Sequence, residues 1–186
     1  LKILVVRHAA LFGAVERWAL AALPTMARFV FAATLLWYFW WSAWNKLEGG
    51  IFSLSLGSYA QIFPKRLEAL GYDVSGFGFL ERAVVLLGTW AEFVLPALIL
   101  FGALTRLAAL GMIGFVFVQS YVDIRGHGLD AMSVGAWFDR QSGSLILDQR
   151  AFWVFLLLVL VFRGAGPVSV DRLLGRRLQA WASAER

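Results

Sequence analysis

Glu92 is the residue of this 186-residue chain whose type and position most suggest chemistry. It is the sole charge among the twenty-three residues, Ala83 to Thr105, that separate Arg82 from Arg106. A carboxylate in so apolar a stretch is costly unless it is neutral, paired or beside a cavity. Tyr38, Ser42, Gln119 and Arg150 are polar groups in three other apolar stretches. Counting depth from Arg28, Arg106 and Arg163 brings them level with Glu92. Two chemistries follow from such a convergence. One is a buried polar clasp, with Glu92 ion-paired to Arg150 or bonded as a protonated acid to Gln119 or Tyr38. The other is a carboxyl that handles a proton and contacts a quinone, since intramembrane acids mark such sites.

Other chemistries lack their residues. There is no cysteine, which excludes thiolate metal sites and relays on the chain's own thiols. Neither of the two histidines, His8 and His127, lies within an expected span, so no buried bis-imidazole haem is expected. Asp123, His127, Asp130 and Asp139 include one imidazole and follow no ligand spacing, so no metal site is expected. Phosphate-loop, nucleophile-elbow and metalloprotease motifs are missing. Lys46, Glu81, Arg82, Asp123, Arg125 and His127 fall at helix ends, where solvated charges are expected.

The elements that must position Glu92 are set by hydropathy. Sixty per cent of the residues are hydrophobic and 16% are charged, with a mean hydropathy of +0.72. Soluble domains carry roughly a quarter charged residues, so a soluble globule is excluded. A spanning helix needs about 20 apolar residues. Seventeen uncharged residues run from Phe29 to Asn45, and sixteen from Leu107 to Val122. Ala151 to Phe162 has twelve, roughly 18 Å of helix, too short to span. Gly164 to Pro167 discourages extension forwards, so the last helix must begin near Leu145 and take in Asp148 and Arg150. The expected fold is an all-α, single-domain membrane four-helix bundle spanning about 26–47, 80–104, 106–123 and 145–163. An N-terminal interfacial helix precedes it, two long outer loops join its spans, and the tail 164–186 follows. Tyr59, Ile62, Phe63, Leu67 and Leu70 suggest a short helix on the first outer loop.

Of the seventeen Lys and Arg, ten lie on the termini and the 104–106 turn and seven on the long loops. The positive-inside rule places both termini in the cytoplasm. The net charge of +5 therefore reports orientation, and no nucleic-acid partner is expected. Trp37, Trp40, Trp41 and Trp44 share about a quarter of the first helix's circumference, while Tyr38, Ser42 and Asn45 form a neighbouring stripe expected to face the interior. The tryptophans then face outward, as an interfacial belt or as a docking surface for a partner subunit or a flat lipid-soluble ligand.

Several features recur in a familiar order: Arg28 opening the first helix, Asn45, Lys46 and Leu47 closing it, Glu92 between Ala91 and Phe93, and the turn from Gly102 to Arg106. Gly164 to Pro167 follow, with Ser169 and Asp171. Over about Arg28 to Leu174 this pattern resembles the DoxX family of small four-helix bacterial membrane proteins. The resemblance implies a bacterial cytoplasmic membrane protein. Some relatives look like membrane subunits of thiosulfate:quinone oxidoreductases, and others are linked with oxidative-stress complexes. The role so implied is an accessory or docking subunit of a redox-linked membrane complex, with lipid, other membrane subunits or a second copy as partners. The matching polar positions are Arg28, Lys46, Glu92 and Arg106, none with a catalytic assignment. A quinone-interacting oxidoreductase subunit using Glu92 and Tyr38 is the alternative, and a small-solute or metal-handling permease a further one.

Overall fold

The computed structural model describes the backbone of residues 2–184, with side chains from residue 18 to 177 and some before them. Helix α1 (Lys2–Phe31) passes through a π turn, Ala32–Leu36, into α2 (Trp37–Asn45). The segment expected as a separate interfacial helix thus continues the first span without a break. Helices α3 (Leu56–Ile62) and α4 (Pro64–Ala69) follow on the first long loop, and α5 (Phe79–Phe101) and α6 (Thr105–Tyr121) form a hairpin. A π turn, Val122–Gly126, extends α6 towards the short α7 (Ala131–Val134). Another, Leu145–Gln149, leads into α8 (Arg150–Arg163), and α9 (Val170–Ala184) occupies the expected tail.

Four stretches are long and apolar enough to cross a membrane: Trp18–Asn45, Phe79–Phe101, Thr105–Gly126 and Leu145–Arg163. The last three match the expected spans closely, the first begins at Trp18, ahead of the expected start near residue 26, and the fold is an all-α membrane bundle. As expected, the fourth gains its length at its front. Asp148 there accepts bonds from the Ser144 amide and hydroxyl, both at 2.8 Å. The side chains of Lys2 and Arg17, and Arg186 entirely, three of the cations counted for orientation, lie outside the described residues.

Each span buries one stripe and leaves large apolar side chains such as Leu87, Phe117 and Phe155 outside, as a lipid-facing bundle requires. On α1 and α2 the buried stripe is Ala27, Phe31, Leu35, Phe39 and Ala43, stepping by one turn. It meets Ile99 of α5, Met112 and Val116 of α6, and Leu157 and Leu160 of α8. Ala108 and Ala109 keep α6 close to its neighbours. The interior stripe of the first span is therefore apolar. Tyr38, Ser42 and Asn45 lie beside it: Asn45 is exposed, Tyr38 is 42% exposed and Ser42 is half-buried. Over the Lys46 end, α3 and α4 pack Tyr59 and Leu67 against Phe77 and Val85. The single short helix expected there is two, divided before Pro64, which cannot donate to continue the first.

At the opposite end, Arg28 ties three segments together. Its guanidinium donates to the carbonyls of Ile99 (2.8 Å), Leu100 (2.5 Å), Ala165 (3.0 Å) and Val168 (2.5 Å). Asp171 accepts from the amides of Leu104 (2.7 Å) and Thr105 (3.0 Å), capping α6. Gly102 ends α5 at φ +67°, and a Cβ there would lie 2.6 Å from Ser169 Cβ and 2.8 Å from Arg28 Cζ. G102A should accordingly lower the unfolding free energy in detergent by about 1–3 kcal/mol through overpacking. Unchanged resistance to SDS unfolding would mean that this end yields without cost.

Candidate functional site

The buried stripe of the first span ends on a cation. Ala43 to Lys46 is a three-residue step after a run of four-residue steps, so Lys46 continues the inward face although it caps the helix. The chain then doubles back over it: Ser55 donates its amide to the Lys46 carbonyl at 2.9 Å, and Leu47 bridges Leu54. Lys46 is 3% exposed, which corrects the expectation of a solvated rim charge. Its Nζ lies 2.5 Å from Glu92 Oε1 and 3.2 Å from Ser42 Oγ. Glu92, likewise 3% exposed, belongs to the buried α5 stripe of Val85, Thr89, Pro96 and Ile99. Its partner is thus Lys46, and neither Arg150, Gln119 nor Tyr38 bonds to it.

Those three residues make their own contacts in the neighbouring layer. Gln119 Nε2 donates to Tyr38 Oη at 2.8 Å. Arg150, 3% exposed, donates to Ser120 Oγ at 2.9 Å and to Asp123 Oδ2 at 2.5 Å. Asp123 belongs to the π turn that prolongs α6, and widened turns of this kind often aim side chains at functional sites. Asp123 is also no simple rim charge. Arg150 lies 5.9 Å from the centroid of Trp153, whose ring is 5.5 Å from that of Tyr38. A charged pair, an aromatic pair and an amide therefore adjoin the Lys46–Glu92 pair without merging with it.

A cavity of about 360 Å³ opens beside the pair, between α5, α6 and the end of α3. Val84, Leu87, Gly88, Ala91, Phe115, Val118 and Val122 make its walls apolar. Lys46, Glu92, Gln119, Gln61 and Asp123 give it polar groups. Gln61 comes from the first outer loop, and its carbonyl lies 3.0 Å from His127 Nε2 on the second. This volume falls within the roughly 300–1,000 Å³ of small-molecule pockets. The two ion pairs cancel within themselves, so the cavity suits an uncharged molecule with a polar head and an apolar body.

The tryptophans divide. Trp37, Trp41 and Trp44 are 69%, 55% and 68% exposed, whereas Trp40 is half-buried and donates its indole N–H to the Phe93 carbonyl at 3.1 Å. Trp40 therefore ties α2 to α5, which corrects the expectation that all four face outward. Among Asp123, His127, Asp130 and Asp139, the three acids each hold a partner within the protein. Asp123 bonds Arg150, and Asp139 accepts from the Gln141 amide at 2.9 Å. Asp130 caps α7 through the Ser133 amide at 2.7 Å, which holds its carboxyl below the usual range.

Sequence reasoning missed Lys46 as the partner of Glu92, Asp123 as the partner of Arg150, and Gln61. The one available signal was the three-residue step that keeps Lys46 on the Phe39 and Ala43 face. The family model described as DoxX matches residues 23–122, more than half the chain, including α2, α5, α6 and the Lys46–Glu92 pair. No curated protein and no solved structure matches.

Proposed function

The chain belongs to the DoxX family, and on that basis we propose that it is a redox-linked membrane subunit holding a quinone-type ring in the cavity beside Lys46 and Glu92. What carries this reading is the pairing of an apolar-walled cavity with a buried ionisable pair at its edge. Val84, Leu87 and Val118 are exposed on the lipid-facing side, so a hydrophobic molecule can enter from the bilayer without crossing water. Gly88, Ala91 and Phe115 would hold the ring, and Lys46 and Gln119 would supply hydrogen-bond donors to its carbonyl groups. Glu92, held by Lys46, is the group placed to exchange a proton with the ring.

The test is direct. A quinone analogue should bind the purified, reconstituted protein, and G88L, which fills the cavity, should weaken binding at least tenfold while leaving the thermal midpoint near that of the parent. E92Q should leave binding within a few-fold but suppress any coupled quinone turnover. Equal binding by G88L and the parent would overturn the assignment of the cavity, and unchanged turnover in E92Q the role of the carboxyl.

A second reading, docking of a membrane partner, is favoured by Trp37, Trp41 and Trp44, which stand exposed around a hollow floored by Phe93. Large exposed aromatics serve as anchors in interfaces. Together the two readings describe an accessory subunit of a larger assembly, with both termini in the cytoplasm of a bacterial cell. Native purification in mild detergent should then recover it with a partner, and the triple change W37A/W41A/W44A should release that partner.

A further inference from the structure

The Arg28 end of the bundle carries a second cavity, independent of the quinone reading. It measures about 370 Å³ and lies between α1 and the segment that joins α8 to α9. Leu20, Ala21 and Pro24 form its α1 side, and Arg163, Gly166 and Arg172 contribute from the other. Arg163 is the last residue of the fourth candidate span, which sets this cavity at the depth of lipid headgroups. It spends one N–H on the Leu20 carbonyl, at 3.1 Å. Among the described residues neither Arg163 nor Arg172 has a carboxylate within ion-pair distance. Asp171 also lines the cavity, but its carboxylate is engaged, with one oxygen on each of the Leu104 and Thr105 amides. Arg106, outside the cavity lining, also has no such partner among the described residues, and its Nε lies 3.4 Å from where a Cβ on Gly164 would stand. The buried hydroxyl oxygen of Thr25, beside Gly166, has no hydrogen-bond partner either. Below the arginines the track is apolar, with Leu20, Leu23 and Phe162 exposed.

We propose that this cavity binds the phosphate of an anionic phospholipid, with Arg163 and Arg172 on the phosphate and the acyl chains along α1 and α8. Planar guanidiniums match phosphate oxygens in pairs, and basic pockets between spanning helices hold anionic headgroups. A zwitterionic headgroup would bring its own cation into the arginine cluster. A free phosphate would lack the apolar contacts on Leu20, Leu23 and Phe162.

The experiment is native mass spectrometry of the detergent-solubilised protein with phosphatidylglycerol, phosphatidylcholine or inorganic phosphate added. One phosphatidylglycerol should be retained in preference to both others. At about 1 kcal/mol per arginine, R172Q should weaken retention about fivefold and R163Q/R172Q more than tenfold. Arg172 is exposed and its guanidinium makes no bond within the described protein, so R172Q tests the site even if the double variant fails to fold. Equal retention by R172Q, or equal retention of phosphatidylcholine, would overturn the proposal. Retention of inorganic phosphate as tight as that of the lipid would overturn its lipid specificity.

Discussion

Replacing Lys46 with Met should destabilise the bundle by about 3–5 kcal/mol, the cost of leaving one member of a buried ion pair without its partner. The double change K46M/E92L should recover most of that loss, because two apolar residues of similar volume need no desolvation. Glu92 alone carries the larger penalty for a positional reason. Lys46 caps α2, and a lysine deprived of its acid can extend its ammonium towards the outer interface. Glu92 lies in the interior of α5, more than two turns from either end, and has no such exit. E92Q should therefore cost less than K46M. SDS unfolding of the three variants in mixed micelles gives the ranking. If K46M and K46M/E92L unfold alike, the pair is not energetically coupled and the polar edge of the cavity is ordinary packing.

The spans were legible because charge punctuates this sequence wherever a helix must leave lipid. Glu92 stood out for the same reason, as a charge where none should be. Its partner was not legible, because helical periodicity fixes which face a residue occupies but not the axial offset between two helices. Depth counting locates a side chain to about one turn, roughly 5.4 Å, whereas an ion pair is decided within 4 Å. Arg150 fell on the right level and bonds Asp123 instead, since the π turn prolonging α6 carries Asp123 to it. Lys46 was hidden by a different effect. Its burial depends on the segment from Leu47 to Ser55 folding back over it, through the Ser55 amide and the Leu47–Leu54 bridge. Trp40 shows the limit of a face read from angles alone. It shares a quarter turn with three exposed tryptophans, yet it lies on the edge nearest α5 and finds the Phe93 carbonyl.

Arg28 should prove as important to the opposite end as Lys46 is to this one, for a different physical reason. Its four acceptors include Leu100, one of the last carbonyls of α5 and without a partner within the helix, and Ile99, whose carbonyl also accepts from the Gly102 amide at 3.1 Å. The others, Ala165 and Val168, belong to the segment after α8. R28M keeps most of the side-chain volume and removes every donor, leaving the Leu100, Ala165 and Val168 carbonyls without it, each at a cost of about 1–3 kcal/mol where it stays buried and unsatisfied. Because some of them regain water as the end loosens, the net loss should be about 4 kcal/mol rather than the full sum. R28K should fall between, since an ammonium has three donors and no planar fork. The loosened end should also show in proteolysis, with trypsin cutting after Arg172 or Arg176 sooner in R28M than in the parent. Arg28 and Lys46 are eighteen residues apart along one helical rod, roughly 27 Å at the helical rise. Sites so far apart with no shared partner add within about 0.5 kcal/mol. R28M/K46M should thus lose the sum of the two single effects, and K46M alone should leave the tryptic pattern around Arg172 unchanged. A marked departure from additivity would mean that the two ends communicate through the buried stripe from Phe31 to Ala43.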